Sequence, residues 1–501
     1  MSLNKFSRRS LLGAGALGAV SLIGSNAEAV VSAKPKRAKN IIFCVSDGMS
    51  MGVPTMVDHL SQIRDRRNSY WAWLIKQPWA VTGLQDTRSL NSVVTDSSAA
   101  SSSWGSGSHI WNGMVNMLPD KTELRTLTQL MIAAGVKCGL VTTATITHAT
   151  PAGFCVNHLW RDEEEKIAEH YLTSGVDVLM GGGDKFFDGV KRKDKMDLYA
   201  KFAAAGYAVV KDSASLASSN SKRVLGIFSD GHIPYTIDRD NDPALQATVP
   251  TLADMAKAAI AKLKGGKNGF LLQIEGARID HAAHTDDLAA QLFDQIAFEE
   301  AVKAAVEFAQ QDGETLVVVT SDHGNGNPGL NGAGDEYIDS TGGLKLVYGM
   351  KASYGSILKR IGLSPSPELV GEVVRDRLGI GLKLSEMEVV SNAIKGKSAF
   401  AVSQFYGSPQ ATLGIVLGNY TKVTWTSTSH TSDHVLLTAV GPGREQFAGL
   451  TQNVDIFQRL LAHKGIKHQN PTMSFEQAAP LYQQLKAGIS KDESDTTPHW
   501  E

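Results

Sequence analysis

The sequence predicts an α/β fold: a mostly parallel central sheet covered by helices on both faces, interrupted by a glycine-rich cap insertion. Three observations predict it. Short, continuous apolar runs recur along the chain, helical stretches separate them, and acidic, hydroxyl and imidazole side chains follow several of the runs. Strands without polar alternation are buried on both faces, as in parallel sheets packed under helices. Strands alternating with helices mark the α/β class.

Taken in order, residues 1–29 read as an address. Ser7-Arg8-Arg9-Ser10-Leu11-Leu12 is a twin-arginine pattern, and the weakly apolar stretch behind it ends in Ala27-Glu28-Ala29, an A-x-A cleavage signal. The stretch is too short and too rich in Gly and Ala to span a bilayer. The expectation is twin-arginine export to the periplasm or medium, with no membrane span after signal removal. A basic linker occupies 30–39. Strands are expected at 41–45, 138–143, 176–180, 270–274, 316–319 and 435–440, with helices at 124–134, 252–263 and 288–308. Residues 325–424 break the alternation with glycines and turn residues, and read as a cap or dimer-facing insertion. The catalytic domain is then discontinuous, 40–324 and 425–468, followed by a polar, peripheral tail at 469–501.

Composition narrows the function. With 49 basic against 51 acidic side chains, the chain has no electrostatic reason to bind nucleic acid or an anionic membrane. Cys44, Cys138 and Cys155 are too few and too scattered for a disulfide framework. Cys44 and Cys138 sit in apolar runs and read as small buried thiols.

In α/β sheets, sites lie beyond the carboxyl ends of the strands. The first run ends in Ser46-Asp47-Gly48-Met49. The fourth ends in Glu275-Gly276-Ala277-Arg278-Ile279-Asp280-His281-Ala282-Ala283-His284, and the fifth in Thr320-Ser321-Asp322-His323-Gly324. Ser429-His430-Thr431-Ser432-Asp433-His434 precedes the last. A single Asp after a strand is usually a turn or helix cap. Several strand ends each carrying Asp, Glu or His, the ligand types zinc takes, point to a metal centre. Asp280 and His284 stand one helical turn apart and could reach one ion. Ser97 opens a small-residue helix whose N-terminus would favour an anion, although that stretch alone fits a serine N-cap equally well.

The segments TDSSAASSSWGSG, THATPAGF followed by Arg161, FSDGHIPYTIDRD, IEGARIDHAAH, TSDHG and HTSDHV occur in one order between about Asn40 and Pro442. In these the chain resembles the two-zinc, one-magnesium alkaline phosphatases. The resemblance implies hydrolysis of small phosphomonoesters through a phosphoserine intermediate, with inorganic phosphate as product and a broad substrate range. It implies Ser97 as nucleophile, and Asp280, His284 and His430 around one zinc. Asp47, Asp322 and His323 would hold a second zinc, with Ser97 completing that site during turnover. Asp47 would bridge to a magnesium-type site with Thr150 and Glu275. Arg161, oriented by Asp96, would grip two phosphate oxygens. His148 and His281 stand where some bacterial members carry Asp and Lys. His148 is expected to support the third site, whose metal is therefore open, and His281 to hold a water near the phosphate. His158 and His434 match no ligand and read as surface histidines. The resemblance also suggests a homodimer.

Two divalent ions ~4 Å apart suit this reaction because they offset repulsion between an anionic nucleophile and a dianionic ester. Other readings remain: a phosphodiesterase, sulfatase or phosphoglycerate mutase of the same superfamily, or an inert exported protein that binds phosphate or metal. Ser97 lacks the C/S-x-P-x-R setting of sulfatases. His148, Thr150 and Glu275 supply a third metal set that diesterases generally lack.

Overall fold

All six apolar runs form strands, within one ten-stranded sheet. The structure, a computed structural model, describes residues 36–397, 403 and 406–487. The export signal expected at 1–29, most of the 30–39 linker and the end of the 469–501 tail lie outside the described residues.

The sheet strands are β1 (Asn40–Ser46), β2 (Ala80–Asp86), β3 (Lys137–Thr145), β4 (Val178–Gly182), β5 (Ala208–Val210), β6 (Val224–Ile227), β7 (Phe270–Gly276), β8 (Thr315–Thr320), β9 (Val435–Val440) and β10 (Gly449–Gln452). Their spatial order is β10-β2-β9-β8-β1-β7-β3-β4-β6-β5. Only β9 runs against its neighbours, β2 and β8; the other pairings are parallel. The strands that the apolar runs did not announce are short or lie toward the sheet edges. β2 alternates exposed and buried residues, and the edge strand β10 is largely exposed.

Alternation along each central strand feeds two cores. Ile42 and Cys44 of β1, with Leu272, Ile274, Val317 and Val319, pack against helices Leu252–Leu263 and Leu288–Asp312. Ile41, Phe43 and Val45, with Leu316 and Val318, face the opposite layer, which includes helices Leu127–Ala133, Glu164–Ser174 and Asn453–His463. Each fully buried Val, Leu or Ile contributes about 1.5–3 kcal/mol. A one-residue register slip would exchange the two faces of a strand and misplace all of them. Cys44, Cys138 and Cys155 are all free and buried.

Local signals set the helix ends. The helix expected at 124–134 starts later, at Leu127, because Thr126 and Gln129 form a capping box. Leu124 joins a different cluster, beside Trp111 and Met114. The helix expected at 288–308 continues to Asp312, where Gly313 closes it in the left-handed conformation (φ 72°).

Within 325–424, helices Tyr354–Ile361, Pro367–Leu378 and Pro409–Thr421 share an apolar cluster that includes Ala289 and Ala290 of the long helix. Two short antiparallel ladders hold the excursion at its base. Gly329–Leu330 pairs with Val423–Thr424, and Gly324–Asn325 with His430–Thr431. After it, helix Phe475–Ala487 packs on Trp111 through Tyr482 and Phe475, with ring centroids 4.3 and 5.9 Å away. Among the described residues no helix is long and apolar enough to cross a membrane.

Candidate active site

Strands β8, β1 and β7 are adjacent and parallel, so their carboxyl ends emerge side by side. Val45 of β1 lies between Glu275 of β7 and Thr320 of β8. Asp47, Glu275 and Asp322 therefore leave the sheet at one edge, all fully buried. Because β9 is antiparallel, it enters where its parallel neighbours leave, and that places His430 at the same end. The Gly324–Asn325 ladder then holds His430 beside His323, with ring centroids 3.7 Å apart.

Asp280 and His284 lie on and just after the short helix Arg278–Ala283, and His284 Nε2 stands 3.2 Å from Asp280 Oδ2. His430 Nε2 is 3.6 Å from Asp280 Oδ1 and 3.1 Å from His284 Nε2. His323 Nε2 lies 3.2 Å from Asp322 Oδ2 and 3.7 Å from Asp47 Oδ1. Gly48 closes the turn after β1 with φ 66°, and a Cβ there would collide with Asp280. Its N–H donates to Asp322 Oδ1 at 3.1 Å.

Helix Ser97–Ser106 brings the hydroxyl. Its residues are almost all small and all buried, and it crosses helix Ala149–Cys155 closely enough that a Cβ on Gly105 would strike the Gly153 carbonyl. Ser97 is the first residue of that helix, and its Oγ sits 3.2 Å from His323 Nε2. Asp96 caps the helix through the Ala99 N–H and accepts from Ser98, Gly113 and Arg161 Nη1 on its other oxygen. Arg161 Nη2 is 3.1 Å from His148 Nε2. Thr150 follows His148 into the helix, its hydroxyl buried. Ser97, Asp96 and Arg161 thus form one unit at the helix N-terminus, alongside the carboxylates and histidines.

The electrostatics follow from burial and crowding. Burial, compounded by the charges of Asp322, Asp280 and Glu275, pushes Asp47 well above the ordinary carboxylate range. Burial raises Asp322 to about 6, with Asp280 adding to it, and Glu275 to about 7, where the nearby hydroxyls of Thr142 and Thr150 partly offset it. Burial would also raise Asp280, but His284 and His430 outweigh it and hold the group well below its usual value. Burial lowers His323 to about 4 and His430 to about 3. Asp96 stays below its usual value, because Arg161 and its N–H donors overcome its burial.

Among the described residues, three groups have donor atoms within 4.8 Å of one another: Asp280, His323 and His430; Asp47, Asp322 and His323; and Asp47, His148 and Glu275. Both oxygens of Asp47 and of Glu275, Asp322 Oδ2, the Thr150 hydroxyl and His323 Nδ1 are buried without a hydrogen bond. Buried polar atoms left this way are costly unless a cation satisfies them. His284 Nδ1 and His430 Nδ1 each lie 2.8 Å from a backbone carbonyl, of Thr428 and Thr95. Those carbonyls require N–H at Nδ1, so neutral rings would set two Nε2 lone pairs 3.1 Å apart; burial opposes a proton on His284, but Asp280 outweighs it and raises that ring above its ordinary value. Neutral rings so placed repel unless a cation lies between them. The donor set fits divalent metal ions.

His281 lies outside these groups. Its ring stands 5.3 Å from His148 and 4.4 Å from His232, and burial, reinforced by His232 and Arg278, holds it well below its ordinary value. His158 is not a free surface group. Its ring is only 15% exposed and lies 3.5 Å from Glu163, whereas His434 is exposed. Sequence reasoning passed over His232, Arg278 and Asn325, whose Nδ2 donates to Asp280 Oδ1 at 2.7 Å. The first two lie inside the motifs already singled out, and Asn325 directly follows TSDHG.

Comparison with known proteins shows the family of the chain. A family model described as alkaline phosphatase matches residues 38–358. Alkaline phosphatase 3 of Bacillus subtilis is 31% identical over 447 residues, covering 86% of this chain and 91% of that protein. The Escherichia coli alkaline phosphatase is 31% identical over 340 residues, 58% of this chain and 71% of its own. The crystal structure of Thermus thermophilus alkaline phosphatase matches with a TM-score of 0.85 at 37% identity, covering 90% of this chain and 96% of that one.

Proposed function

This chain belongs to the alkaline phosphatase family and is a phosphomonoester hydrolase, and from that premise we propose that Ser97 is its nucleophile and that turnover passes through phosphoserine. The observation that carries the reading is the Ser97 hydroxyl, 3.2 Å from His323 Nε2, at a helix N-terminus and beside three groups of metal-type donors, all buried but the half-buried His430.

Asp280, His284 and His430 would hold one zinc ion and Asp47, Asp322 and His323 a second, since mixed carboxylate and imidazole donors suit zinc. Asp47, Glu275 and Thr150 offer oxygens to a third, magnesium-type ion, with His148 supporting it. When bound, these ions supply positive charge to the entering and leaving oxygens of an in-line displacement.

The chain's own groups do the rest. Ser97 Oγ attacks phosphorus from the side opposite the ester oxygen and forms the phosphoseryl bond as the bond from phosphorus to the ester oxygen breaks; net, the serine proton leaves with the alcohol. A water then breaks that bond, releases inorganic phosphate and restores the hydroxyl. Asp96 holds Arg161 by Nη1, so the guanidinium meets the phosphoryl oxygens already oriented, and its fork matches two of them. The helix N-terminus adds N–H groups directed at the same anion. Recognition confined to the phosphoryl group supports a broad range of alcohols. His281 would hold a water beside the phosphate.

The twin-arginine pattern and A-x-A signal support export to the periplasm or medium, and the family supports a homodimer in which 325–424 forms a cap or dimer-facing surface.

Two measurements test the reading. On purified, metal-loaded protein, monoester turnover exceeds diester turnover by orders of magnitude; a preference for diesters would overturn it. Arg161→Ala loses charge-assisted bonds of about 1.5–3 kcal/mol. It therefore raises KM and the inhibition constant for inorganic phosphate about 10–100-fold, and unchanged phosphate inhibition would remove Arg161 from that role.

A further inference from the structure

We propose that Arg278 is a positioning residue that locks His281 in the Nε2–H tautomer, so that His281 presents a donor, and not a lone pair, to the phosphoryl side of the site. The proposal rests on the reading that Arg161 receives the phosphate. Arg278 opens the short helix after β7 and is 9% exposed. Its backbone N–H and that of Ala277 both donate to the Thr143 hydroxyl, at 3.2 and 2.9 Å. Its guanidinium carbon sits 3.8 Å from the centre of the Tyr235 ring, a platform that holds the plane of the fork.

Arg278 Nη1 lies 2.6 Å from His281 Nδ1. A guanidinium only donates hydrogen bonds, so Nδ1 must be the acceptor and the neutral ring carries its proton on Nε2. That Nε2 is buried and makes no hydrogen bond. The ring neighbours His148, which in turn touches Arg161. His232 completes the cluster, and its Nδ1 accepts from the Thr145 N–H at 3.1 Å, so it too carries its proton on Nε2 when neutral. In the other tautomer, His281 would turn a lone pair toward an anion or its bound water.

The test is a double-mutant cycle in the full-length, zinc- and magnesium-loaded enzyme, with Arg278→Met, His281→Ala and the pair, read by inhibition with inorganic phosphate. Histidine ¹⁵N spectra of wild type and Arg278→Met accompany it, with His281 assigned by its absence in His281→Ala. In wild type, His281 shows the Nε2–H pattern, and Arg278→Met mixes the tautomers. Each single variant weakens phosphate binding about tenfold, the scale of one lost hydrogen bond to a charged group. Arg278→Met adds little in the His281→Ala background. If Arg278→Met does not fold, Tyr235→Leu removes the platform and shifts both readouts the same way. Additive losses, an Nδ1–H tautomer in wild type, or phosphate inhibition unaffected by His281→Ala would each overturn the proposal. None of these would touch phosphoserine chemistry, which Ser97→Ala tests separately.

Discussion

Ser97→Ala lowers kcat for a phosphomonoester by at least about 10³-fold, the scale lost with a nucleophile, while the ion content and the fold stay as in wild type. The expectation follows from where Ser97 stands. Its Oγ lies 3.2 Å from His323 Nε2, at the first turn of its helix and next to Asp96, which holds Arg161. The side chain is small and the helix around it is built from serines and alanines, so alanine fits without strain. Asp96 still caps the helix through Ala99, and the acidic and imidazole donors are untouched. Steady-state kinetics beside metal analysis checks it. Turnover within a few-fold of wild type, at equal ion content, would mean that water attacks the ester directly and that Ser97 is not the nucleophile.

Stripping the metal ions with a strong chelator followed by dialysis abolishes activity, and zinc plus magnesium restores it. The same treatment makes the fold sensitive to pH in a defined direction. Asp322 and Glu275 are raised in the folded protein to about 6 and about 7, chiefly by burial. A carboxyl group raised on folding leaves stability intact below its unfolded value and removes it as pH climbs through the folded value. The metal-free protein therefore loses stability between about pH 4 and 7 and stays weakened above. Each group costs on the order of 3 kcal/mol once ionised, taking about 1.4 kcal/mol per pKa unit. Two such groups approach the whole net stability of a folded domain, about 5–15 kcal/mol. Ions that bind the ionised carboxylates reverse this slope. Thermal melts of metal-free and reloaded protein from pH 5 to 8.5 read it directly: the two curves converge at the acid end and separate as pH rises. Equal melting temperatures across that range, or full activity after chelation, would remove the metal centre from the mechanism.

Much of the architecture was legible because burial on two faces leaves a plain mark. The run Ile41 to Val45 has no polar residue, and both of its faces lie in apolar cores. β2 escaped notice for the opposite reason: half of it faces solvent, and its alternation, broken by Gly83, is weak. The helix at 124–134 was placed too early because hydrophobic spacing does not register the Thr126 cap. In the site, Asp, Glu and His stood out because several strand ends carry them together, where a single one would read as a turn or helix cap. His232 and Arg278 did not, since their partners are a backbone N–H in one case and a ring across the site in the other.

The amino-acid order alone determined which segments would be buried strands, which polar groups would sit at their carboxyl ends, and which family those groups resemble. Hydrophobic patterning and short motifs are local properties, so they can be read along the chain. Only the tertiary structure decided that residues as distant as Thr95 and His430 would meet. It also decided that an antiparallel β9 would deliver His430 to the edge where β1, β7 and β8 end. Strand order, strand direction and the tautomer of a buried ring depend on contacts across the whole fold, and no local stretch of sequence carries them.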